Sequence, residues 1–135
     1  MVKCSIEYEG GLHCKVKHGP SGAVVSTDAP VDNHGKGESF SPTDMMCAAT
    51  AACMSTIMGI YAQEHGVALE GMRVEVAKSM SANPRRIAKM EIDFFIPLPS
   101  STSHREALER CALGSPAMHS LHPDIEVIIR WNWED

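Results

Sequence analysis

The chain has 135 residues, of which 44% are hydrophobic and 21% are charged, and its formal net charge at pH 7 is −5. This length and composition predict one globular domain and exclude an intrinsically disordered chain. The acidic balance argues against a nucleic acid as a main partner, because phosphate binding needs clustered lysine and arginine side chains.

The N-terminal part of the chain predicts short strands and turns. Apolar and polar residues alternate in three segments with glycine-containing turns between them, as is typical of hairpins. A polar segment that contains two further glycines follows, and it predicts a loop. The strands are predicted at residues 2–8, 12–16 and 23–27, and the loop at residues 28–40.

The longest apolar segment predicts a central helix over Pro42–His65. Ser41 suits the N-cap position, Pro42 suits the first helical position, and Asp44 lies three residues after the cap, as in a capping box. No charged residue occurs between Asp44 and Glu64. A helix without a polar face is expected to be buried. Since 135 residues can hardly cover such a helix, the pattern favours association of two chains.

The C-terminal half predicts further strands and two shorter helices. Ser103 and Glu106 have the spacing of a capping box for a helix that ends at Gly114, and Ser115 with Pro116 suits the start of a short helix. Strands are predicted at residues 69–80, 87–96 and 125–133. The order of strands, long helix, strands, helices and strand predicts an α+β fold, in a single domain of residues 1–135.

Two motifs of the chain carry a resemblance to a known family. In the first, an alanine-rich helix separates Pro42 from Cys53, eleven residues later. In the second, a helical segment over residues 105–121 contains Ser115–Pro116 and leads into a final strand. The two motifs resemble those of the OsmC/Ohr family, the osmotically induced and organic hydroperoxide resistance proteins, which are thiol-dependent peroxidases and have a Cys-Pro pair at the position of Ser115–Pro116. The resemblance implies the OsmC-like fold, with antiparallel sheets packed on a long buried central helix. It also implies an intertwined homodimer with two composite active sites.

The two motifs depart from the family pattern at catalytic positions. Ser115 stands at the position of the second family cysteine. Thr43, followed by Asp44, stands where the peroxidases have a glutamate after the proline. Their activating arginine lies in the N-terminal part, and this chain has no arginine before Arg73. Cys53 is therefore the candidate catalytic thiol, and the sequence does not assign the cation that would activate it.

Two other cysteines lie near these motifs. Cys111, four residues before Ser115, is the candidate substitute for the missing second thiol. Its place near a helix C-terminus opposes this role, because the helix dipole there disfavours a thiolate. Cys47 lies six residues before Cys53, about 9 Å along a straight helix, which is too far for a disulfide. Cys47 is therefore predicted to pack in the core.

Three functions remain open on these residues. In the first, the Cys53 thiolate attacks a hydroperoxide and forms a sulfenic acid, which a second thiol and a cellular thiol reductant recycle. The alternative is a non-catalytic protein that binds an apolar small molecule in the family's pocket. The third is a hydrolase that uses a thiol or Ser115, with His119 as its base. The predicted pocket residues are Thr43, Asp44, Met54 and Met118.

The sequence predicts neither a metal site nor a cofactor. No two cysteines form a Cys-x-x-Cys pair, and no two histidines share a helix at metal-binding spacing with a carboxylate partner. Without a signal-peptide core or an 18-residue apolar segment, we expect a cytoplasmic protein with reduced cysteines and no membrane contact. The expected partners are a second copy of the chain, an organic hydroperoxide or apolar small molecule, and a thiol reductant.

Overall fold

The computed structural model describes residues 1–135, which form two compact units, Met1–Met46 and Cys47–Asp135. All six predicted strands and all three predicted helices are present, which confirms the α+β class. The strands are β1 (Cys4–Tyr8), β2 (His13–His18), β3 (Val24–Asp28), β4 (Arg73–Ser81), β5 (Arg86–Ile96) and β6 (Glu126–Trp133), and the helices are α1 (Pro42–His65), α2 (Arg105–Leu113) and α3 (Pro116–His119). A single domain over 1–135 stays a prediction.

Strands β1, β2 and β3 form an antiparallel sheet in the first unit, with β2 in the centre. Directly paired residues share one face of a sheet, and here Ile6 pairs with Val16, which pairs with Val25. Tyr8 lies on that same apolar face, whereas Glu7 and its partner Lys15 lie on the other. The apolar face is largely exposed, since Ile6 and Tyr8 each retain 64% of their surface.

Asp28 ends β3 and anchors the loop that leads to α1. Its side chain is buried, one carboxylate oxygen lies 3.1 Å from Nδ1 of His13, and the other accepts a 3.0 Å hydrogen bond from the backbone N–H of Glu38. The backbone N–H of Asp28 donates to the carbonyl of Phe40 at 2.9 Å. The hydrogen bond with His13 is the main cause that holds the pKa of the Asp28 carboxyl below its usual value.

The second unit contains the sheet β4-β5-β6, which is mixed. Strand β5 pairs antiparallel with β4 and parallel with β6. The prediction of antiparallel sheets is therefore wrong for β5 and β6. The physical reason is the crossover through α2 and α3, which returns the chain to the end of the sheet where β5 begins.

The two faces of this second sheet differ sharply. Ile92, Phe94 and Ile96 of β5 are buried in the core. On the opposite face, Nε of Arg130 lies 2.7 Å from the carboxylate of Asp93, and a hydrogen bond from Arg130 holds the pKa of the Asp93 carboxyl below its usual value. This face is therefore polar and ion-paired, as expected for a sheet with one solvated side.

Helix α1 is buried on one side only. Its core-facing residues share one apolar cluster with residues of β5 and α2, and the cluster includes Cys47, Met54, Met58, Ala62, Ile92, Phe94, Leu108 and Ala112. On the opposite side, Ala49 is exposed and Ile60 keeps 48% of its surface. The predicted full burial of α1 is thus not reached within one chain. By length and composition α1 could also span a membrane, a test that core helices pass as well.

The predicted caps of α1 and α3 are present. The backbone N–H of Asp44 donates to Oγ of Ser41 at 3.0 Å, and the backbone N–H of Ser41 donates to the Asp44 carboxylate at 2.9 Å, which is a reciprocal capping box. At α3, Oγ of Ser115 accepts a 3.2 Å hydrogen bond from the backbone N–H of Met118. Both helices therefore begin where the sequence predicts.

The predicted cap of α2 is wrong. The sequence indicates a box of Ser103 and Glu106, but the N-cap is His104, and no side chain caps this helix. A preceding turn explains the shift, because the backbone N–H of Arg105 donates to the carbonyl of Thr102 and that of His104 donates to Oγ1 of Thr102, each at 3.3 Å.

Candidate functional site

Cys53 lies on α1, on the side of the helix that faces away from the core. Its neighbours Met54 and Met58 have no exposed surface, whereas Cys53 is half-buried and lies outside the core cluster. At 3.6 residues per turn, Cys53 shares a helical stripe with Ala49, Ile57 and Ile60. We call these four residues the Cys53 stripe. The thiol therefore belongs to an apolar helix surface that its own chain leaves partly exposed.

The Cys53 stripe contains no charged residue. A reactive cysteine must be a thiolate, and a nearby cation or a helix N-terminus usually stabilises it. Cys53 lies in the middle of α1, remote from its N-terminal turn. The stripe alone thus does not supply the groups that would activate Cys53.

An open groove of about 530 Å³ begins at Ser55, two residues beyond Cys53. Its lining includes Thr56, Gly59 and Ile60 of α1, together with Val67 and Leu69 from the segment that follows the helix. A methyl group built on Gly59 would meet nothing within 4 Å, so the groove floor is open at this residue. Sequence reasoning missed this feature, although an interior glycine in a helix is a recognised signal of a packing or functional reason.

The predicted pocket residues do not line this groove. Asp44 takes part in the capping box of α1, and Oγ1 of Thr43 lies 3.3 Å from Oγ of Ser41. Met54 has no exposed surface and packs in the core, while Met118 of α3 is half-buried and packs against the same core. Their role in a substrate pocket stays a prediction.

The residues of the second motif lie on and after α2. Ser115 has no exposed surface, and its hydroxyl oxygen is the N-cap acceptor of α3. Cys111 is half-buried and packs against the core, and Cys47 of α1 lies within the core at 2% exposure, as predicted. None of the five cysteines forms a disulfide. Catalytic roles for Cys53, Cys111 and Ser115 stay predictions.

Across the 135 described residues, no group of three or more histidine, cysteine, aspartate or glutamate side chains is arranged to hold a metal ion. The candidate thiol of the site, Cys53, lies on an apolar helix surface. The hydroxyl of Ser115 is committed to a helix cap, because its oxygen accepts a hydrogen bond from the backbone N–H of Met118.

Comparison with known proteins gives a family and several related structures. The model of OsmC-like proteins matches residues 35–130. A Psychrobacter arcticus structure, named for an osmotic stress induced and detoxification response, is 36% identical, with a TM-score of 0.93 over 98% of this chain and 96% of that chain. A search of curated proteins found no significant match.

Two more distant structures share the fold. An organic hydroperoxide resistance protein OsmC of Legionella pneumophila has 16% identity and a TM-score of 0.77, over 98% of this chain and 96% of that chain. One from Elizabethkingia anophelis has 14% identity and a TM-score of 0.73, over 99% and 96%. With its two three-stranded sheets, its long apolar helix and both sequence motifs in the matched region, this chain belongs to the OsmC-like protein family.

Proposed function

We propose that this protein reduces organic hydroperoxides through Cys53. The observation that carries the proposal is the position of Cys53, which lies at the family motif on a partly exposed apolar helix stripe and outside the core. An apolar surface around a thiol suits the organic part of a hydroperoxide better than hydrogen peroxide. The names of two structural relatives, which are organic hydroperoxide resistance proteins, support the same substrate class.

The reaction proceeds in three balanced steps. The Cys53 thiolate attacks the distal oxygen of the hydroperoxide, the O–O bond breaks, and the alcohol leaves once its oxygen takes a proton, so that Cys53 becomes a sulfenic acid. A second thiol condenses with the sulfenic acid, and water leaves as the S–S bond forms. A cytoplasmic dithiol then reduces this disulfide by thiol–disulfide exchange. Since Ser115 cannot supply the second thiol, the second step uses an external thiol or Cys111.

The active form in this proposal is a homodimer. The Cys53 stripe and the apolar face of the first sheet, with Ile6 and Tyr8, are both exposed in the single chain. Burying two such surfaces is favourable at about 25 cal/mol per Å² of apolar area. A partner chain would exclude water from Cys53 and could bring a polar group that activates the thiol. Such composite sites agree with the family resemblance.

The test is oxidation of the purified protein by cumene hydroperoxide, followed by mass spectrometry of each cysteine peptide. We expect hydroperoxide loss and one added oxygen on Cys53, because no second thiol is present at position 115. Cys53→Ser should abolish the consumption, whereas Cys47→Ser, a matched change on the core side of the same helix, should retain it. Equal consumption by wild type and Cys53→Ser would refute the proposal. A prompt Cys53–Cys111 disulfide would instead identify Cys111 as the second thiol.

A gain of function sharpens the test. Ser115→Cys is nearly isosteric, and the new thiol would lie at the start of α3, where free backbone N–H groups favour a thiolate. We expect this variant to form a disulfide with oxidised Cys53 and to turn over with dithiothreitol. The double variant Ser115→Cys with Cys53→Ser is the control. If Ser115→Cys is no faster than wild type, the missing second thiol does not limit the reaction.

A second candidate function is binding of an apolar small molecule without turnover. The observation that favours it is that Ser115 is buried as a helix cap and Asp44 is held in a capping box, so both positions have structural roles. Isothermal calorimetry with a long-chain fatty acid tests this alternative. Saturable binding by a protein that consumes no hydroperoxide would favour it, and the absence of binding would exclude it.

A further inference from the structure

Three aromatic rings connect the C-terminal part of α1 with the start of α2. The hydroxyl of Tyr61 lies 2.8 Å from Nδ1 of His104, across 43 residues of sequence. The rings of Tyr61 and His65 stack at a centroid distance of 3.9 Å and an angle of 19°. The His104 ring meets both of these rings edge-on, at 5.7 Å from Tyr61 and 6.0 Å from His65. We call these three residues the ring cluster.

His104 is an unusual residue for the start of α2. It occupies the N-cap position of α2, where a short polar side chain normally accepts a hydrogen bond from the first turn, yet its ring makes no such bond. The ring is instead directed to Tyr61 of α1. When a residue does not suit its secondary-structure position, tertiary contacts or function determine which residue stands there.

The other members of the ring cluster orient this contact. His65 lies four residues after Tyr61 on α1, where side chains are neighbours, and its Nδ1 lies 2.9 Å from the Tyr61 carbonyl. This bond makes Nδ1 the donor and fixes the His65 ring that stacks on Tyr61. On the other side, Arg105 pairs with Glu109 at 3.3 Å and lies over the Trp133 ring at 5.6 Å. The Arg105 guanidinium is therefore engaged by Glu109 and Trp133, and Tyr61 remains the hydrogen-bond partner of the His104 ring.

We propose that Tyr61, oriented by His65, forms a latch with His104 that keeps α2 closed on the core. The rest of α2 is anchored by Leu108 and Ala112, which have no exposed surface. The latch adds a polar contact at the N-terminal end of this helix. When the latch opens, α2 separates from the core and exposes Cys111, which is half-buried when α2 is closed. This inference is independent of hydroperoxide reduction.

The experiment measures how fast N-ethylmaleimide modifies Cys111, by mass spectrometry of its peptide, at a low reagent concentration, where the rate follows the equilibrium fraction of molecules in which α2 is open. Tyr61→Phe removes only the hydroxyl and should accelerate the modification by roughly threefold to tenfold, the range set by the loss of one net hydrogen bond. His104→Phe should give a similar increase. The double variant should be no faster than either single variant, because both changes remove the same contact.

Two controls make the outcome decisive. Ser81→Ala, which removes a hydroxyl that donates to the Pro84 carbonyl at 3.1 Å, should leave the Cys111 rate unchanged. Cys47, in the core on α1, is reached only by global unfolding, and its rate should stay well below that of Cys111 in every variant. Unchanged modification of Cys111 in Tyr61→Phe and His104→Phe would overturn the proposal. Equal modification rates at Cys47 and Cys111, or additive effects in the double variant, would overturn it as well.

Discussion

The two sheets of this protein have the same alternating pattern but different surroundings. In the second sheet, Ile92 and Phe94 face a core and have no exposed surface, and the opposite face is ion-paired through Arg130 and Asp93. In the first sheet, Ile6 and Tyr8 form an equally apolar face that is 64% exposed at each residue. One sheet thus finds its cover within the chain, and the other does not.

This difference indicates where an additional surface is needed. Scattered exposed apolar residues are ordinary, but a contiguous apolar sheet face is the kind of patch that proteins use for association. The Cys53 stripe of α1 is a second partly exposed apolar surface in the same chain. Both surfaces are explained if a second chain covers them, and the candidate thiol would then be enclosed by association.

The largest expected effect concerns the covered sheet. Phe94→Ala should lower the free energy of unfolding by about 3–5 kcal/mol, because it leaves a cavity in the core. Tyr8→Ala, on the exposed face of the first sheet, should cost much less at low protein concentration. Urea denaturation of both variants tests the comparison. An equally large loss for Tyr8→Ala that does not depend on protein concentration would show that one chain covers both sheets.

The next effect concerns association. We expect wild type to have twice the chain mass of 14.7 kDa in light scattering at micromolar concentration. Ile6→Lys places a charge on the apolar face of the first sheet and should raise the dissociation constant at least tenfold, because that charge would lose its hydration in the interface. The matched control is Val24→Lys, a similarly exposed residue on the other face of the same sheet.

The outcomes of this experiment separate the alternatives. A wild-type protein that scatters as a single chain would show that the apolar face is not a dimer surface. An equal effect of Ile6→Lys and Val24→Lys would show that the two faces do not differ in the assembly.

A smaller effect is expected at Gly59, which lies in the open groove beside Cys53. Since a methyl group there would meet nothing within 4 Å, Gly59→Ala should stabilise α1 by about 0.5–1 kcal/mol in the isolated chain. If a second chain packs closely against this helix, the same change should weaken association. Thermal unfolding at several protein concentrations distinguishes the two results, because only weakened association makes the effect depend on concentration.

The smallest effect is expected at two aspartates, the buried Asp28 of the first sheet and the ion-paired Asp93 of the second sheet. Hydrogen bonds with His13 and Arg130 lower the pKa values of Asp28 and Asp93, respectively. A carboxyl whose pKa is lowered by folding stabilises the folded state above its unfolded value near 3.9, and this contribution is lost as the pH falls through the folded value. We therefore expect Asp28→Asn and Asp93→Asn to lose more stability at pH 7 than at pH 2.5.

Urea denaturation at pH 7 and at pH 2.5 measures both variants. A loss of stability that is the same at both pH values would contradict the assigned contacts of the two carboxylates. A pH-dependent loss in Asp93→Asn alone would show that the contact between Asp28 and His13 contributes nothing in solution.

Local signals in the sequence predict most of the individual elements. Ser41, Pro42 and Asp44 mark the start of α1, and Ser115 marks the start of α3, because a helix cap depends on a few adjacent residues. The start of α2 was predicted wrongly at Ser103. There the turn at Thr102 competes for the same backbone groups, and propensity alone does not weigh such competition.

The sequence by itself determined the element order, the α+β class and the position of Cys53 within a family motif. Only the tertiary structure decided that β6 runs parallel to β5 and that Cys53 faces away from the core. Periodicity defines which residues share a face, because it follows from backbone geometry. Which face is buried depends on packing between segments that are distant in sequence. In our proposal, a second chain buries Ile6 and Cys53.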